Sequence, residues 1–474
     1  MAVSLTGTRI SAVALPWFVL VTTGSATRTG LVAFCEMTPY VLAKAFAGPV
    51  VDRIGPRSVS WTTDLTSAVA AAAVPLLHAL DLLSFPLLLA LVAMVGAARG
   101  PADSAKEVMV PEAAERAGVP LERATGLSGV TERLAFTLGP AVGGAVVALL
   151  GPLVGLVVNA ACFALGSVVV AVALPRGMGH PYEDAAAPDG DGVKGRDGGA
   201  DGDGDGDEDG DGDGDGGGGE EPGYWRRFGE GFAFLRGEPL LLTVIVMVGI
   251  TNLLDMAFAA VLMPVWAKES GNGPTAIGLT GTVMGAAAVA GSLIAAVAAH
   301  RLRRRLVFFA GFLLAGAPRF LVLAVDAPLG VVLAVFAVSG FGAGFLNPVL
   351  GAVLFERVPR RMLGRVSALG DAFSWAGMPL GGLIAGAAVA SAGLVPVLVA
   401  GGAAYFLTTS LAGLRPEWRE MDRARGRAAA ATRNPGRHPD PGKHQGPEHP
   451  EVRPAEKTEP EQDDDPQGRA RAAM

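Results

Sequence analysis

The stretch of sequence that decides the fold, residues 29–57, reads TGLVAFCEMTPYVLAKAFAGPVVDRIGPR. Its first part, residues 29–51, is predominantly apolar and long enough to cross a lipid bilayer, for which a helix needs about 20 residues. The stretch then ends in Asp52, Arg53 and Arg57, whose charged side chains belong in water. The pattern therefore predicts a membrane-spanning helix followed at once by a short charged loop.

Eleven further apolar runs of similar length lie on both sides of this stretch. Of the 474 residues, 50% are hydrophobic and only 18% are charged, and the mean hydropathy is +0.41. Because lipid cannot satisfy exposed backbone N–H and C=O groups, each run is predicted to be a helix. The chain is thus predicted to be an all-α membrane protein with twelve transmembrane helices in two six-helix bundles. The runs cover residues 1–22, 29–51, 58–80, 84–103, 124–149, 153–174, 239–265, 276–299, 306–325, 328–350, 365–390 and 394–414.

The interruption between the sixth and seventh runs is strongly acidic. Residues 180–221 carry 16 acidic and two basic residues, against a net charge of −7 for the whole chain. A Gly- and Asp-rich segment repels itself and has nothing to bury, so it is predicted to be disordered. Residues 224–236 fit equally a helix lying on the membrane surface and a plain lead-in to the seventh run. We therefore expect four parts: a six-helix bundle at 1–175, a linker at 176–222, an interfacial helix with a second bundle at 223–414, and a disordered tail at 415–474.

Basic residues are divided unequally between the two sets of short loops. One set holds thirteen Lys and Arg residues, with Lys106 among them, whereas the other holds only Arg28 and Lys268. The positive-inside rule places the first set, both termini and the linker in the cytoplasm, so we expect a multi-pass protein of the inner cell membrane. The first run lacks a charged leader and a small-residue cleavage site, which favours a membrane helix over a signal peptide.

Several function classes lack support in the sequence. Cys35 and Cys162 lie inside apolar runs, which excludes a disulfide scaffold and a cysteine-rich zinc module. The sequence shows no nucleophile elbow, phosphate-binding glycine loop or Walker lysine, so we expect neither an enzyme nor an ATP-driven pump. The basic residues flank apolar spans, a pattern that indicates cytoplasmic loops and not nucleic-acid binding. We predict no metal and no cofactor.

The two halves of the chain are copies of one another. A constant shift of 248 residues superimposes landmarks of the first half on the second, and Gly143-Gly144 match Gly381-Gly382 after a change in loop length. A parallel repeat of six helices is an arrangement used by secondary transporters, which move two bundles about a site near the midplane. The sequence therefore predicts a transporter. The matched pairs are Pro16 with Pro264, Gly30 with Gly278, Arg53 with Arg301, and Arg57 with Arg305.

The loop after the second run carries a recognisable pattern. It resembles the loop 2–3 signature of the major facilitator superfamily, Gly-x-x-x-Asp-Arg-x-Gly-x-Arg/Lys. Gly48 would let helices approach closely, and Asp52 can meet a helix N-terminus or an arginine. The resemblance implies that this loop locks the two halves together in one conformational state. The second-half copy has His300 at the acidic position, so we expect the lock to be one-sided. The matching residues are Gly48, Asp52, Arg53, Gly55 and Arg57.

The fifth run supplies a second pattern. Its small residues and proline resemble the antiporter motif of drug exporters in that superfamily, with Ala135 in place of one glycine. Glycines on one face permit tight helix contact, and the proline is expected to bend the helix. Ordinary small-residue packing would explain an isolated copy, whereas the loop pattern and the repeat favour the exporter interpretation. The motif positions are Gly126, Gly139, Pro140, Gly143 and Gly144.

The resemblance narrows to exporters similar to the macrolide and enterobactin exporters. Residues 227–236 with Pro239, and Gly364-Arg365-Val366-Ser367, are similar to those members, over residues 1–175 and 223–414. This resemblance implies that the protein exports amphipathic small molecules in exchange for protons, as a monomer, with substrate bound between the bundles. Two alternatives remain: a dedicated exporter of one metabolite such as a siderophore, and a transporter-like membrane sensor or scaffold. One departure is Thr8, where relatives usually carry an acid.

Ionisable residues within the apolar runs are the candidates for substrate binding and proton coupling, because placing them in lipid costs several kcal/mol. Asp255 is the first choice for the titrating group, since the 248-residue shift places it opposite Gly7, next to the position that has lost its acid. The alternative is a structural acid bound to Asn252 or to a neighbouring helix. Arg319 is expected to extend to the membrane surface. The candidates are Asp255, Glu36, Lys44, Glu132 and Arg133.

Glu36 and Lys44 lie eight residues apart, about two turns along one helix face. This spacing puts both side chains on the same side of the second run but too far apart to pair with each other. We therefore expect each to have a different partner.

Overall fold

The structure is a computed structural model, and it describes residues 2–175, 178, 224–298, 304–359 and 362–415. Every regular element among these residues is a helix, as the apolar runs predict. The first half comprises α1 (Ala2–Thr23), α2 (Ala26–Ala45), α3 (Ala47–Ile54), α4 (Pro56–Ala79), α5 (Phe85–Arg116), α6 (Leu121–Leu150) and α7 (Pro152–Ala173). The second half comprises α8 (Tyr224–Gly237), α9 (Pro239–Ala257), α10 (Met263–Glu269), α11 (Gly273–Ala298), α12 (Arg304–Ala315), α13 (Ala317–Ala324), α14 (Leu329–Gly344), α15 (Leu346–Arg357), α16 (Leu363–Ala376), α17 (Met378–Ala392) and α18 (Leu394–Leu414).

Each of the twelve predicted spans is helical over the residues that the structure describes. Within the described part of the chain, nine helical segments are long and apolar enough to cross a membrane, or ten when α2 and α3 are counted as one span bent by 60°. The other two predicted spans are α4, which is rich in Ser and Thr, and the α14–α15 pair, which is broken at Phe345. Breaks at Phe258–Leu262 (a π-turn), Gly316 and Gly377 divide three further spans. The all-α prediction is confirmed.

The loop between α3 and α4 is shaped by its glycine and proline. Gly55 has φ of +92°, a backbone conformation that side-chain-bearing residues rarely adopt, and Pro56 follows as the first residue of α4. The chain therefore turns from one helix into the next within a single residue. The linker, apart from Met178, and the tail after Arg415 lie outside the described residues.

The repeat is visible in how two arginines end two helices. Arg57 Nε donates a hydrogen bond of 2.9 Å to the carbonyl of Leu174, just past the end of α7. Arg305, its counterpart 248 residues on, donates from Nη2 to the carbonyl of Gly413, 3.0 Å away near the end of α18. A cation at a helix C-terminus satisfies carbonyl groups that have no partner within the helix. Equivalent arginines thus terminate the last helix of each half.

The two halves meet through two pairs of glycines. A Cβ added to Gly144 of α6 would lie 2.6 Å from Gly278 Cα of α11. A Cβ added to Gly30 of α2 would lie 3.0 Å from the carbonyl carbon of Gly382 in α17. The repeat relates one contact to the other, since Gly30 matches Gly278 and Gly144 matches Gly382. We call these four residues the glycine seam, and the membrane face nearer to it, where α1 ends and α2 begins, the seam face.

A further contact between the halves lies at the same face. Lys268 Nζ, at the end of α10, donates to the carbonyl of Leu20 near the end of α1, at 3.1 Å. Toward the opposite face, Gly126 and Gly129 of α6 have no heavy atom within 4 Å of an added Cβ. The closest packing between the halves that the structure shows is therefore on the seam side.

The length of α5 corrects the sequence analysis at one position. Lys106 was counted among the loop residues, but α5 continues to Arg116 and Lys106 is buried within it. Its Nζ lies 2.8 Å from Asp64 Oδ1 of α4, and Ser4 Oγ of α1 donates to the other carboxylate oxygen at 3.4 Å. Asp64 is 0% exposed. The ion pair offsets part of the cost of burying the two charges, and together with the Ser4 hydrogen bond it joins three helices of the first half.

Candidate functional site: a polar ladder between the halves

Two parallel helices of the first half carry polar side chains that pair one turn at a time. Successive contacts join residues 63 apart, at intervals of four residues along both α2 and α5. A constant offset over two turns requires the same faces of two parallel helices to stay in register. The three contacts, which we call the polar ladder, are Arg99 Nη1 to Glu36 Oε1 at 3.2 Å, Tyr40 Oη to Asp103 Oδ2 at 3.3 Å, and Lys44 Nζ to Glu107 Oε1 at 3.3 Å.

The ladder confirms the prediction made for Glu36 and Lys44, and it includes residues that the sequence analysis missed. Glu36 and Lys44 do have different partners, as their spacing predicts. Their partners Arg99 and Glu107, and the partner Asp103 of Tyr40, were not singled out, although these three residues repeat the same four-residue spacing on α5. Because a charge inside an apolar run needs a partner, a search for matching spacings in neighbouring runs could have found them.

Glycines on α5 make this close approach possible. A Cβ added to Gly100 would lie 2.7 Å from Lys44 N and 2.8 Å from the Tyr40 carbonyl oxygen. Gly96, one turn earlier, faces the backbone of Glu36 in the same way. Small residues at such positions let helix backbones come close enough for short side chains to pair. The glycines of α5 are thus part of the ladder's geometry.

The ladder reaches across to the second half through aromatic contacts. The Tyr40 ring stacks on Trp375 of α16, with ring centroids 6.4 Å apart and 20° between the planes. Lys44 Nζ lies 4.7 Å from the centroid of the same indole ring, a cation–π arrangement. Asp371, one turn before Trp375, interacts electrostatically with Lys44. The ladder therefore lies at the boundary between the halves.

Arg9 of α1 lies next to the ladder. Its guanidinium carbon is 3.3 Å from the centre of the Phe136 ring on α6, and it interacts electrostatically with Arg99 and Glu132. Gly139 leaves room for it, because a Cβ there would lie 2.9 Å from Arg9 Cγ. Glu132 and its neighbour Arg133 are exposed. Of these two candidates, the structure brings Glu132 toward the ladder.

The antiporter-like positions of α6 pack on two neighbours. Gly139 and Gly143 face α1, where a Cβ at Gly143 would lie 3.0 Å from Ile10 Cα. Pro140 and Gly144 face α11, which belongs to the other half. Gly126 faces open space, and α6 runs unbroken from Leu121 to Leu150 through the proline. The motif region thus holds α6 between the first helix and the second half.

The residues of the proposed lock loop differ in their exposure and in their contacts. Asp52 and Arg53 are exposed, whereas Arg57 is engaged at the end of α7. Gly48 has no heavy atom within 4 Å of an added Cβ, so the close helix approach expected there is absent from this conformation among the described residues. The loop is anchored at its Arg57 end and exposed at its Asp52 end.

Asp255 lies on α9, inside the second half. Its carboxylate forms an ion pair with the guanidinium of Arg319 on α13. The Asp255 side chain is 41% exposed and that of Arg319 is 8% exposed. Asn252, which the sequence analysis offered as a partner for Asp255, donates a hydrogen bond to the carbonyl of Ser374, at 3.0 Å. The expectation that Arg319 extends to the membrane surface is wrong, because its buried guanidinium pairs with an acid 64 residues away, which helix position alone does not reveal.

Aromatic rings surround the guanidinium of Arg319. Its carbon lies 4.9 Å from the centre of Phe258, 5.6 Å from Phe320 and 5.9 Å from Tyr405. Such rings stabilise a cation through their electron-rich faces. The ion pair lines a cavity of about 170 Å³ that also exposes Thr251 and Asn252. This cavity lies within the second half, so the structure separates Asp255 from the polar ladder.

Metal ligands do not cluster in the described part of the chain. No group of three His, Cys, Asp or Glu side chains there could hold an ion. The acidic linker, with its repeated Asp residues, lies outside the described residues.

Comparison with known proteins places these features in context. The family model of the Major Facilitator Superfamily matches residues 1–256 and, again, 245–436. The chain is 30% identical over 423 residues to the multidrug efflux pump Tap of Mycobacterium tuberculosis (strain ATCC 25618 / H37Rv), covering 88% of this chain and 92% of that protein. It is 29% identical over 422 residues to the Tap pump of Mycolicibacterium fortuitum, covering 88% and 94%.

Two solved structures share the fold. The nucleoside transporter NupG superposes with a TM-score of 0.62 at 14% identity, covering 89% of this chain and 96% of that one. A bacterial homolog to the human lysosomal transporter Spinster, in an inward-facing and unoccupied conformation, gives 0.62 at 13% identity, with coverage of 89% and 96%. At these identities the likeness concerns the fold alone.

Proposed function

We propose that this chain, which belongs to the major facilitator superfamily, exports amphipathic small molecules from the cell in exchange for protons. It is an integral membrane protein and a secondary transporter, and not an enzyme. The export direction and the broad substrate range rest on its relatives, the multidrug efflux pumps, which it matches over nearly their whole length. We further propose that it works as a monomer, since one chain supplies both bundles.

The observation that carries the proposal is the glycine seam. Two contacts exchanged by the repeat hold the halves together on one side of the membrane, where backbones touch without intervening side chains. A transporter that opens alternately to each side of the membrane must open this seam in its other state. Glycine contacts between backbones can separate without breaking ion pairs. The positive-inside rule makes the seam face the outer one, with both termini cytoplasmic. The conformation described here is then inward-facing.

Substrate would bind between the halves, beside the polar ladder. The half-buried Trp375 and the exposed Phe136 offer aromatic surface to an apolar body, while the ladder offers charges to its polar end. Binding between two bundles lets one molecule contact both, so its affinity differs between the two access states. The exposed Asp52 end of the loop would engage the second half only when the inner side closes.

Asp255 remains our candidate for the proton-coupling group. Desolvation favours the neutral form of a carboxyl group, whereas Arg319 favours the charged form. Protonation of Asp255 would break the ion pair and leave the buried guanidinium of Arg319 without its counter-charge. That cost can be relieved by moving α9 against α13, so protonation and conformation become linked.

The function is tested by export of a fluorescent amphipathic dye from cells with and without the protein, with a protonophore uncoupler as a third arm. We expect faster dye loss with the protein and abolition of the difference by the uncoupler. Equal dye loss in both kinds of cell, at verified membrane levels, would refute the transport proposal for that dye class. Export that ignores the uncoupler would refute proton coupling alone.

Coupling through Asp255 is tested with Asp255→Asn in proteoliposomes under an imposed pH gradient. The matched control is Asp326→Asn, an exposed acid in the turn after α13. We expect the Asp255 variant to lose uphill transport while the control retains it. If Asp255→Asn still drives uphill export near the wild-type rate, Asp255 is structural and Glu36 becomes the next candidate.

A further inference from the structure

We propose that Arg9 is the binding site for an anionic group, a carboxylate, on the transported molecule. The inference rests on the export function proposed above and specifies its substrate class: amphipathic molecules that carry a carboxylate beside an aromatic or apolar body. It starts from the distribution of partners among the cations at the boundary between the halves.

The other two cations there already have acids as partners. Arg99 pairs with Glu36 at 3.2 Å and approaches Asp103 at 3.9 Å, and Lys44 pairs with Glu107 at 3.3 Å. Arg9 forms no hydrogen bond or ion pair within the residues that the structure describes, and its Nε is fully buried without an acceptor. A buried donor without an acceptor costs about 1–3 kcal/mol, more when it is charged. The site is thus incomplete as a protein-only structure.

The surroundings of Arg9 favour a planar anion joined to an apolar body. A guanidinium presents parallel N–H donors that match the two oxygens of a carboxylate. Its guanidinium carbon lies 3.3 Å from the centre of the Phe136 ring, so an aromatic surface lies directly beside the position of such an anion. Phe136 is itself 45% exposed, so it can also contact the apolar part of the ligand.

The acids near Arg9 do not close the site to an anion. Arg99 contacts both Glu36 and Asp103, and Tyr40 also donates to Asp103. Glu132, an exposed acid one turn before Phe136, attracts Arg9 without a direct ion pair in this conformation. A ligand carboxylate would therefore compete with Glu132 for the same guanidinium. Neutralising Glu132 should strengthen binding of the anion.

The test compares two dyes that differ only at one carboxyl group, rhodamine B and its ethyl ester. Binding to the purified full chain in detergent is measured by fluorescence anisotropy. The variants are Arg9→Gln, Glu132→Gln, and Arg28→Gln as the matched control. Arg28 is also an arginine over a phenylalanine, 5.2 Å from the ring of Phe85, but it is exposed on the seam face.

We expect the wild type to bind the acid more tightly than the ester. Arg9→Gln should weaken binding of the acid roughly tenfold or more, as for other hydrogen bonds to charged groups, and leave the ester within about twofold. Unchanged ester binding also shows that the variant is folded. Glu132→Gln should raise the affinity for the acid relative to the ester, and Arg28→Gln should change neither.

Three outcomes overturn the proposal. A wild type that binds the ester at least as tightly as the acid refutes the carboxylate site, while the export proposal stands on the ester. Equal losses for both dyes in Arg9→Gln would make Arg9 a structural residue. If the wild type binds and exports neither dye, the proposed function fails together with this inference.

Discussion

Gly144→Ala should open the seam between the two halves. The added Cβ would lie 2.6 Å from Gly278 Cα, 2.9 Å from Gly278 N and 3.0 Å from the Pro274 carbonyl oxygen, all backbone atoms of α11. Carbon atoms in ordinary contact are about 3.5–4.0 Å apart, so α6 and α11 must separate by roughly 1 Å. A rotamer change cannot relieve a clash with backbone, and such overpacking costs about 1–3 kcal/mol.

This cost falls only on the conformation in which the seam is closed. If the other access state separates the helices, the equilibrium shifts toward it by about 5- to 150-fold, since 1.4 kcal/mol corresponds to a factor of ten. The helix-propensity gain of alanine over glycine, about 0.5–1 kcal/mol, is the same in both states and cancels. Gly129→Ala is the matched control, because it lies on the same helix and its added Cβ meets nothing within 4 Å.

The shift is measured by double electron–electron resonance between spin labels on the seam face. Leu150→Cys at the end of α6 and Asn272→Cys before α11 provide exposed positions, after Cys35 and Cys162 have been replaced by alanine. We expect a longer-distance population to grow in Gly144→Ala. Distance distributions identical to those of Gly129→Ala would refute the claim that the glycine contact holds the seam closed.

Three further predictions concern the linker, the loop and the buried pair of the first half. Deletion of residues 188–219 should leave transport within about twofold, because the segment has almost no apolar side chain to dock; loss of transport at normal membrane levels would contradict this. Asp52→Asn should reduce transport more than His300→Asn, since the acid can meet a helix dipole or an arginine, and equal losses would show that the second copy also acts as a lock. Lys106→Met should destabilise the protein by about 3–5 kcal/mol by stranding the Asp64 carboxylate, and Asp64→Asn in the same chain should restore much of the thermal stability, as read by unfolding in detergent.

Much of the fold could be predicted from the sequence because lipid leaves few choices. Apolar runs of about 20 residues must be helices, and a constant offset of 248 relates the halves before any contact is known. The helix ends were harder to predict. Lys106 was counted as a loop residue because a lysine normally ends a membrane span, but its charge is neutralised by Asp64 on another helix. Composition cannot reveal a partner 42 positions away.

The candidate site was predicted in part for the same reason. Glu36 and Lys44 stood out as charges on one helix face, and their partners on α5 share the spacing. Arg319 was misjudged because a lone arginine in an apolar run favours extension to the surface, whereas Asp255 and three aromatic rings hold it inside. An isolated charge in an apolar run is a strong signal of function or pairing, but which partner it meets depends on how the helices are placed around it.

The repeat preserves the glycine contacts and the arginines that end each half, but not the charged pairs inside the spans, and this asymmetry bears on mechanism. Gly30 and Gly382 touch as Gly278 and Gly144 do, so the seam closes through two equivalent contacts and can open as a symmetric hinge. Among the residues that the structure describes, the polar ladder has no such counterpart in the second half, and the Asp255–Arg319 pair has none in the first. Close backbone packing tolerates only glycine and so keeps both copies alike, whereas a buried charge needs only one partner wherever it lies. The proposals above then give the halves different roles: the first half supplies the charged groups that meet the substrate, the second half carries the proton on Asp255, and the glycine seam connects the two.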